Sequence, residues 1–172
     1  SKYRTTSGST ADKPRYRSTA SLGYLFQNGF NIKIIDLTNV LSVEFTSLYN
    51  AFNGCKSLTT IIGISEINTS KVTDMSSMFS GCESLLSVDF LTNWNINNVK
   101  SISGMFNGCK KITEVNFNPD TYMANYSGSL GRTFYECSEL TRITGLKLNP
   151  ENLYNAQNAM DGFIGKAHKI RY

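Results

Sequence analysis

Histidine is nearly absent from this sequence, which holds one such residue, His168, among 172. A chain so poor in histidine has little of the commonest general base of enzymes and of the commonest nitrogen ligand of metal sites. It also lacks the Cys-x-x-Cys pair of metal and redox sites, and no Gly-x-Ser-x-Gly or His-Glu-x-x-His motif occurs. These absences predict a protein that is not an enzyme and that needs no metal or cofactor.

Long apolar runs are missing too. No stretch approaches the ~18 consecutive apolar residues that a membrane-spanning helix requires. The first ten residues, SKYRTTSGST, lack the apolar centre of a signal peptide. We therefore expect no membrane insertion, and for a surface protein this start would indicate a mature or trimmed chain.

The net charge of +4 comes from one end of the chain. Residues 1–20 hold five basic residues and one acidic residue, whereas the remainder holds twelve of each. A neutral remainder offers no basic stripe that a phosphate backbone could follow, so we expect no nucleic-acid partner. Residues 1–20 are predicted to be a polar, basic N-terminal tail or linker.

What the sequence does contain is a repeat. The motif Phe-x-x-Cys occurs four times, and its cysteines are separated by 27, 27 and 28 residues: Phe52 and Cys55, Phe79 and Cys82, Phe106 and Cys109, Phe134 and Cys137. A fixed period of this length is typical of proteins built from stacked repeats. No single copy could bury its apolar face alone, so the copies are expected to form one cooperative domain.

Each copy shows two apolar patterns. Before the motif, Val72, Met75, Met78 and Phe79 have the spacing of one face of a short helix, which would end at Gly81. After the cysteine, apolar residues follow at the third and sixth positions, which indicates a short β-strand. The predicted fold is therefore α/β, with about six coils, a parallel β-sheet on one face and short helices on the other.

The boundaries follow from the same pattern. Residues 21–172 form the predicted repeat domain, with an N-terminal cap coil at 21–44, central coils at 45–147 and a C-terminal cap at 148–172. Pro150 begins the last predicted helix, and we expect the chain to be a monomer.

With these motifs in view, the chain resembles a known family. Val-x-x-Met-x-x-Met-Phe-x-Gly-Cys, followed by Leu-x-x-Val-x-Phe, is similar to the BspA-type leucine-rich repeats of bacterial surface proteins. The segment 93–99, with Trp94, is similar to that family's link from strand to helix. The resemblance covers roughly residues 22–172 and implies a leucine-rich-repeat solenoid. It also implies an extracellular or cell-surface location and a role in adhesion or host interaction.

The four cysteines share one position of the repeat, so they should form a column of free, buried thiols. A disulfide framework is the alternative, although side chains that point inward in parallel suit its geometry poorly. Metal binding is disfavoured, because the only histidine lies near the C-terminus.

Strand alternation identifies the candidate binding surface. If the apolar positions face the core, two columns of side chains face outward on the sheet: Ile34, Asp36, Thr60, Ile62, Ser87, Asp89, Glu114, Asn116, Arg142 and Thr144. The alternative is that these are ordinary solvated strand residues. A second candidate is aromatic, formed by Trp94 and residues 122–126 in the links between coils, although a packed role suits Trp94 better.

Three functions remain open at this point. The first is recognition without catalysis of a protein or glycan partner through the outer sheet face. The second is a structural spacer or stalk element of a larger surface protein. The third, an enzyme with a perturbed thiol, is the weakest because no catalytic constellation supports it. The identity of the ligand does not follow from the sequence.

Overall fold

The computed structural model describes residues 2–3, 20–40, 43–126 and 130–147. Seven short strands occur there: β1 Lys2–Tyr3, β2 Ala20–Ser21, β3 Ile34–Asp36, β4 Phe45–Ser47, β5 Thr60–Ile62, β6 Glu114–Asn116 and β7 Arg142–Thr144. Three 3-10 helices accompany them: Thr38–Val40, Ile64–Glu66 and Asp89–Asn93. The described residues contain no α-helix.

The strands pair in parallel within three separate sheets. One has the order β1-β3-β5, and the other two are the pairs β2-β4 and β6-β7. Isolated bridges extend the β2-β4 position from Ser47 to Asp74 and from Asp74 to Ser101. Apart from β1, which lies within the predicted N-terminal tail and pairs with β3, the paired strands come from consecutive repeats.

The predicted fold class is wrong. A leucine-rich-repeat solenoid of about six coils needs a continuous parallel sheet on one face and helices on the other. The described chain has instead three small sheets, no α-helix, and turns in place of the predicted helices. The predicted C-terminal cap and its helix from Pro150 lie outside the described residues, as does His168.

Positive φ angles explain why the predicted helices do not form. Ser77 and Gly81 have φ angles of 53° and 71°, and the same two positions are left-handed in other repeats, at Asn50 and Gly54 and at Gly104 and Gly108. A right-handed helix cannot continue through two such residues four positions apart. Gly81 was expected to end a helix in this conformation, but it belongs to a turn instead.

The N–H groups of these turns alternate between acceptors in the next repeat and acceptors in their own turn. The N–H groups of Ser77, Phe79 and Gly81 donate to carbonyls of the next repeat, at N···O distances of 2.8, 2.9 and 2.6 Å. Those of Met78 and Cys82 donate to the carbonyl three residues back in their own turn. Each repeat thus satisfies its backbone partly through its neighbour, which a helix would not do.

The core is built from columns of equivalent side chains. The rings of Phe26, Phe52, Phe79, Phe106 and Phe134 stack in sequence, with centroids 5.2 to 5.7 Å apart and planes within 12° of parallel. The four rings from Phe52 to Phe134 have no exposed surface. The column shows that consecutive repeats lie against one another in register.

Candidate functional site

The strands β3, β5, β6 and β7 place their side chains as alternation predicts. Their central residues, which face the core, are Ile35, Ile61, Val115 and Ile143. The flanking residues are exposed or half-buried, and they include eight of the ten predicted site residues: Ile34, Asp36, Thr60, Ile62, Glu114, Asn116, Arg142 and Thr144.

The strand register brings these residues together in pairs. In β3 and β5, Ile34 is opposite Thr60 and Asp36 is opposite Ile62. In β6 and β7, Glu114 is opposite Arg142 and Asn116 is opposite Thr144, whose hydroxyl donates to the Asn116 Oδ1 atom at 2.6 Å.

The third repeat, residues 72–98 when the N-terminal cap coil at 21–44 is counted as the first, interrupts the predicted columns. Ser87 and Asp89 are exposed, but Asp89 begins the 3-10 helix Asp89–Asn93, and its N–H donates to the Ser87 hydroxyl at 3.1 Å. The helix turns Leu91 inward, and Trp94 follows it into the core beside Phe90, with ring centroids 4.9 Å apart. Packing of these large side chains replaces the strand, so β5 and β6 end up in different sheets.

One exposed column was missed by the sequence analysis. It lies one residue before the outward-facing strand positions: Lys33, Thr59, Leu86, Thr113 and Thr141. The hydroxyls of Thr59 and Thr141 donate to the carbonyls of Lys33 and Thr113, at 3.1 and 3.0 Å. The recurring threonine was the available signal, since a threonine just before a strand can bond the neighbouring backbone.

We call the ten predicted residues and this column the outer face. Its least polar part lies between the second and third repeats, where Ile62 is 44% exposed and Leu86 is 60% exposed. Asp36 is the register partner of Ile62, and Asp89 holds the equivalent position in the third repeat. Two aliphatic side chains therefore lie among carboxylates on a surface open to solvent.

Two of the three aromatic side chains in the links between coils are buried in the core. Trp94 is fully buried, and its Nε1 donates to the Ile64 carbonyl at 3.1 Å. Tyr126 is buried as well, and desolvation raises its pKa despite an opposing backbone hydrogen bond. Tyr122 alone among these aromatic side chains is exposed, at 48%. The packed role expected for Trp94 is confirmed.

The four thiols form the predicted column. Each is free and buried, and each Sγ donates to the carbonyl of a phenylalanine in the preceding repeat at 3.0 to 3.2 Å: Cys55 to Phe26, Cys82 to Phe52, Cys109 to Phe79 and Cys137 to Phe106. Burial raises the pKa of the Cys137 thiol to about 12 and raises those of the other three. A reactive thiolate is therefore disfavoured at these sites.

Charged side chains pair on the surface beside the thiol column. Glu83 lies between Lys110 and Lys56, at N···O distances of 2.7 and 3.4 Å. The hydrogen bond from Lys110 lowers the pKa of Glu83, and the same bond raises the pKa of Lys110. Within the described ranges, no group of three or more His, Cys, Asp or Glu side chains is placed to hold a metal ion. In that part of the chain, no helix has the length and apolarity to cross a membrane.

Comparison with known proteins assigns the chain to a family. No curated protein and no solved structure matches it. One family model, described as Mycoplasma protein of unknown function, DUF285, matches residues 20–163. The match covers most of the chain, including the described repeats. The chain therefore belongs to the DUF285 family.

Proposed function

We propose that the chain is a recognition module without catalytic activity, part of a bacterial cell-surface or secreted protein, and that it binds a protein or glycan partner through its outer face. The observation that carries the proposal is the exposure of Ile62 and Leu86 on a face whose backbone is held in strands and turns. Apolar side chains that are exposed together and rimmed by polar residues mark interaction sites on protein surfaces.

Two further features support the proposal. The resemblance to BspA-type repeats implies a surface location and a role in adhesion. Burial and the raised pKa of the four thiols argue against an enzyme that uses one of them. The neutral composition of residues 21–172 gives no support to a nucleic-acid partner.

A structural spacer remains the second candidate function. The phenylalanine column and the hydrogen bonds between repeats favour it, since they make the described repeats one continuous packed body. A spacer would need the packing and not the outer face, so surface variants distinguish the two functions.

The test reverses charge on the outer face. Purified chain with Asp89→Lys and Glu114→Lys is compared with the unmodified chain on arrays of extracellular proteins and glycans. Tyr122→Ser, which changes the exposed aromatic link and leaves the outer face intact, is the matched control. We expect the charge-reversed variant to lose binding that the control keeps. Equal binding by all three chains would exclude the outer face and leave the spacer.

A further inference from the structure

The composition of the outer face points to one class of partner. This inference rests on the function proposed above, namely recognition through the outer face. We propose that the occupant is a protein segment that carries an aliphatic or aromatic side chain flanked by lysine or arginine, and not a neutral glycan.

The apolar part of the argument concerns Ile62 and Leu86. Both are aliphatic, both are exposed, and they lie in adjacent repeats of the outer face, with half-buried Ile34 in the repeat before Ile62. Branched aliphatic side chains gain from contact with apolar groups. They offer little to a hydroxyl-rich sugar, which is commonly bound by aromatic rings and hydrogen-bonding groups.

The charged part of the argument concerns the carboxylates around this pair. Along the row that contains Ile62, the preceding repeat contributes Asp36 and the following repeat contributes Asp89. Glu114 is exposed on the repeat after that. Of the basic residues of the outer face, Arg142 lies two repeats beyond Leu86, and Lys33 lies in the repeat before Ile62, three positions from Asp36 along the chain. Ile62 therefore lies between two carboxylates of its own row, which favours a cationic group beside it.

The third repeat covers the strand edges next to the aliphatic pair. Residues 86–88 form no strand, so β5 and β6 belong to different sheets. The ring of Phe79 nevertheless lies between those of Phe52 and Phe106, and the 3-10 helix Asp89–Asn93 contacts β6. The partner would therefore contact side chains of the outer face and would not join a sheet.

The experiment selects peptides from a randomised display library on the full chain. We expect enriched peptides to combine an apolar residue with nearby lysine or arginine. Synthetic copies of them should bind more weakly at about 500 mM than at about 50 mM NaCl, because salt screens the charges. Enrichment without a basic bias, or binding that does not depend on salt, would overturn the inference.

Three variants locate the site. Ile62→Ser with Leu86→Ser should weaken the selected peptides by about tenfold or more, and Asp89→Asn with Glu114→Gln should weaken them and reduce the salt dependence. The Tyr122→Ser control should bind as the unmodified chain does. If the outer-face variants abolish binding to a glycan on the array while no basic peptide binds, this inference fails and the proposed function stands. If the binding of peptides and the binding of array ligands are both unchanged in these variants, this inference and the proposed function both fail.

Discussion

Single residues set the local conformation of the repeat through their φ angles. The position occupied by Gly54, Gly81 and Gly108 is left-handed in every described copy, and in the fifth copy Glu136 takes it with a φ of 58°. A side chain with a Cβ is strained in this region by roughly 1 to 2 kcal/mol. Glycine is therefore favoured at this position, and Asn28 in the first copy and Glu136 in the fifth hold it with a Cβ, at φ angles of 60° and 58°.

The loss of stability on replacing a glycine with alanine should be larger where less space is available for the new Cβ. Gly81→Ala should lower the free energy of unfolding by roughly 1 to 2 kcal/mol, because the new Cβ meets no atom closer than 3.6 Å and only strain is added. Gly145→Ala should cost more, because φ is 74° and the Cβ would collide with the Phe117 carbonyl. Glu136→Gly should be neutral or stabilising. Urea unfolding measures all three, and equal costs at Gly81 and Gly145 would contradict the packing described.

Buried thiols make stability depend on alkaline pH. Well below about pH 8.5 a thiol is protonated in both the folded and the unfolded state, so its contribution to stability is intact. Above that pH the unfolded thiol ionises while folded Cys137 keeps its proton up to a pKa of about 12. The free energy of unfolding should therefore fall with rising pH, by about 1.4 kcal/mol per unit for each such thiol.

The matched variant for this effect is Cys137→Ser, which keeps a donor for the Phe106 carbonyl but does not titrate in this range. Its unfolding free energy, measured by urea titration between about pH 8 and 10.5, should fall less steeply than that of the unmodified chain. Identical slopes would show that Cys137 ionises as easily in the folded protein as in the unfolded one.

Burial of the four thiols should also slow their reaction with thiol reagents. At neutral pH a thiol reagent should label Cys55, Cys82, Cys109 and Cys137 slowly in the native protein and fully after unfolding, since all four are buried. The measurement is a timed titration, repeated after reduction to count any disulfides. One fast native thiol would revive the enzyme interpretation.

At the scale of elements, the phenylalanine column links the turns of successive repeats. Phe79 stacks on Phe52 and Phe106, at centroid distances of 5.2 and 5.7 Å, and it is fully buried. Phe79→Ala should lower the free energy of unfolding by about 3 to 5 kcal/mol, because it removes a large core side chain and leaves a cavity.

A double-mutant cycle tests whether the rings stabilise one another. Phe79→Leu and Phe106→Leu, alone and combined, should show a coupling of about 0.5 to 1.5 kcal/mol, measured by urea unfolding. Phe79 with Phe134 is the control pair, because Phe106 lies between them in the column. Equal coupling in both pairs would mean that the cycle reports a general loosening of the core.

The period, the core column and the thiol burial were predictable because equivalent positions of a repeat share one environment. The outward-facing residues of four strands followed from alternation for the same reason. The prediction of helices was wrong because the spacing of apolar residues carries no information on φ angles. Nothing in the sequence around Ser77 indicates that its φ is 53°. Nor does spacing show that the N–H of Phe79 bonds the next repeat.

The strand predicted in the third repeat does not form, and the reason is different. Leu85 and Val88 match the strand pattern, yet Phe90 and Trp94 pack against each other, and the chain between them forms a 3-10 helix. The outcome depends on how large side chains fit against neighbouring repeats. Such tertiary packing overrides the local strand preference of the segment.

At the scale of the whole molecule, the described repeats depend mainly on their neighbours. Backbone hydrogen bonds, ring stacking and thiol–carbonyl bonds each join one repeat to the next. The stability of such an assembly is approximately a sum of repeat terms and nearest-neighbour terms. Its length should therefore be adjustable in whole periods and not in fractions of one.

Removal of residues 72–98 tests this. The deletion joins Lys71 to Val99, the counterpart of Val72, so Phe52 would meet Phe106 and Cys109 would face the Phe52 carbonyl in place of Cys82. We expect cooperative unfolding by circular dichroism with an m-value lower by about one sixth, since the m-value follows the area buried. Removal of residues 72–84, about half a period, should abolish cooperative unfolding because the columns no longer align. Equal behaviour of the two deletions would mean that the register between repeats does not hold the molecule together.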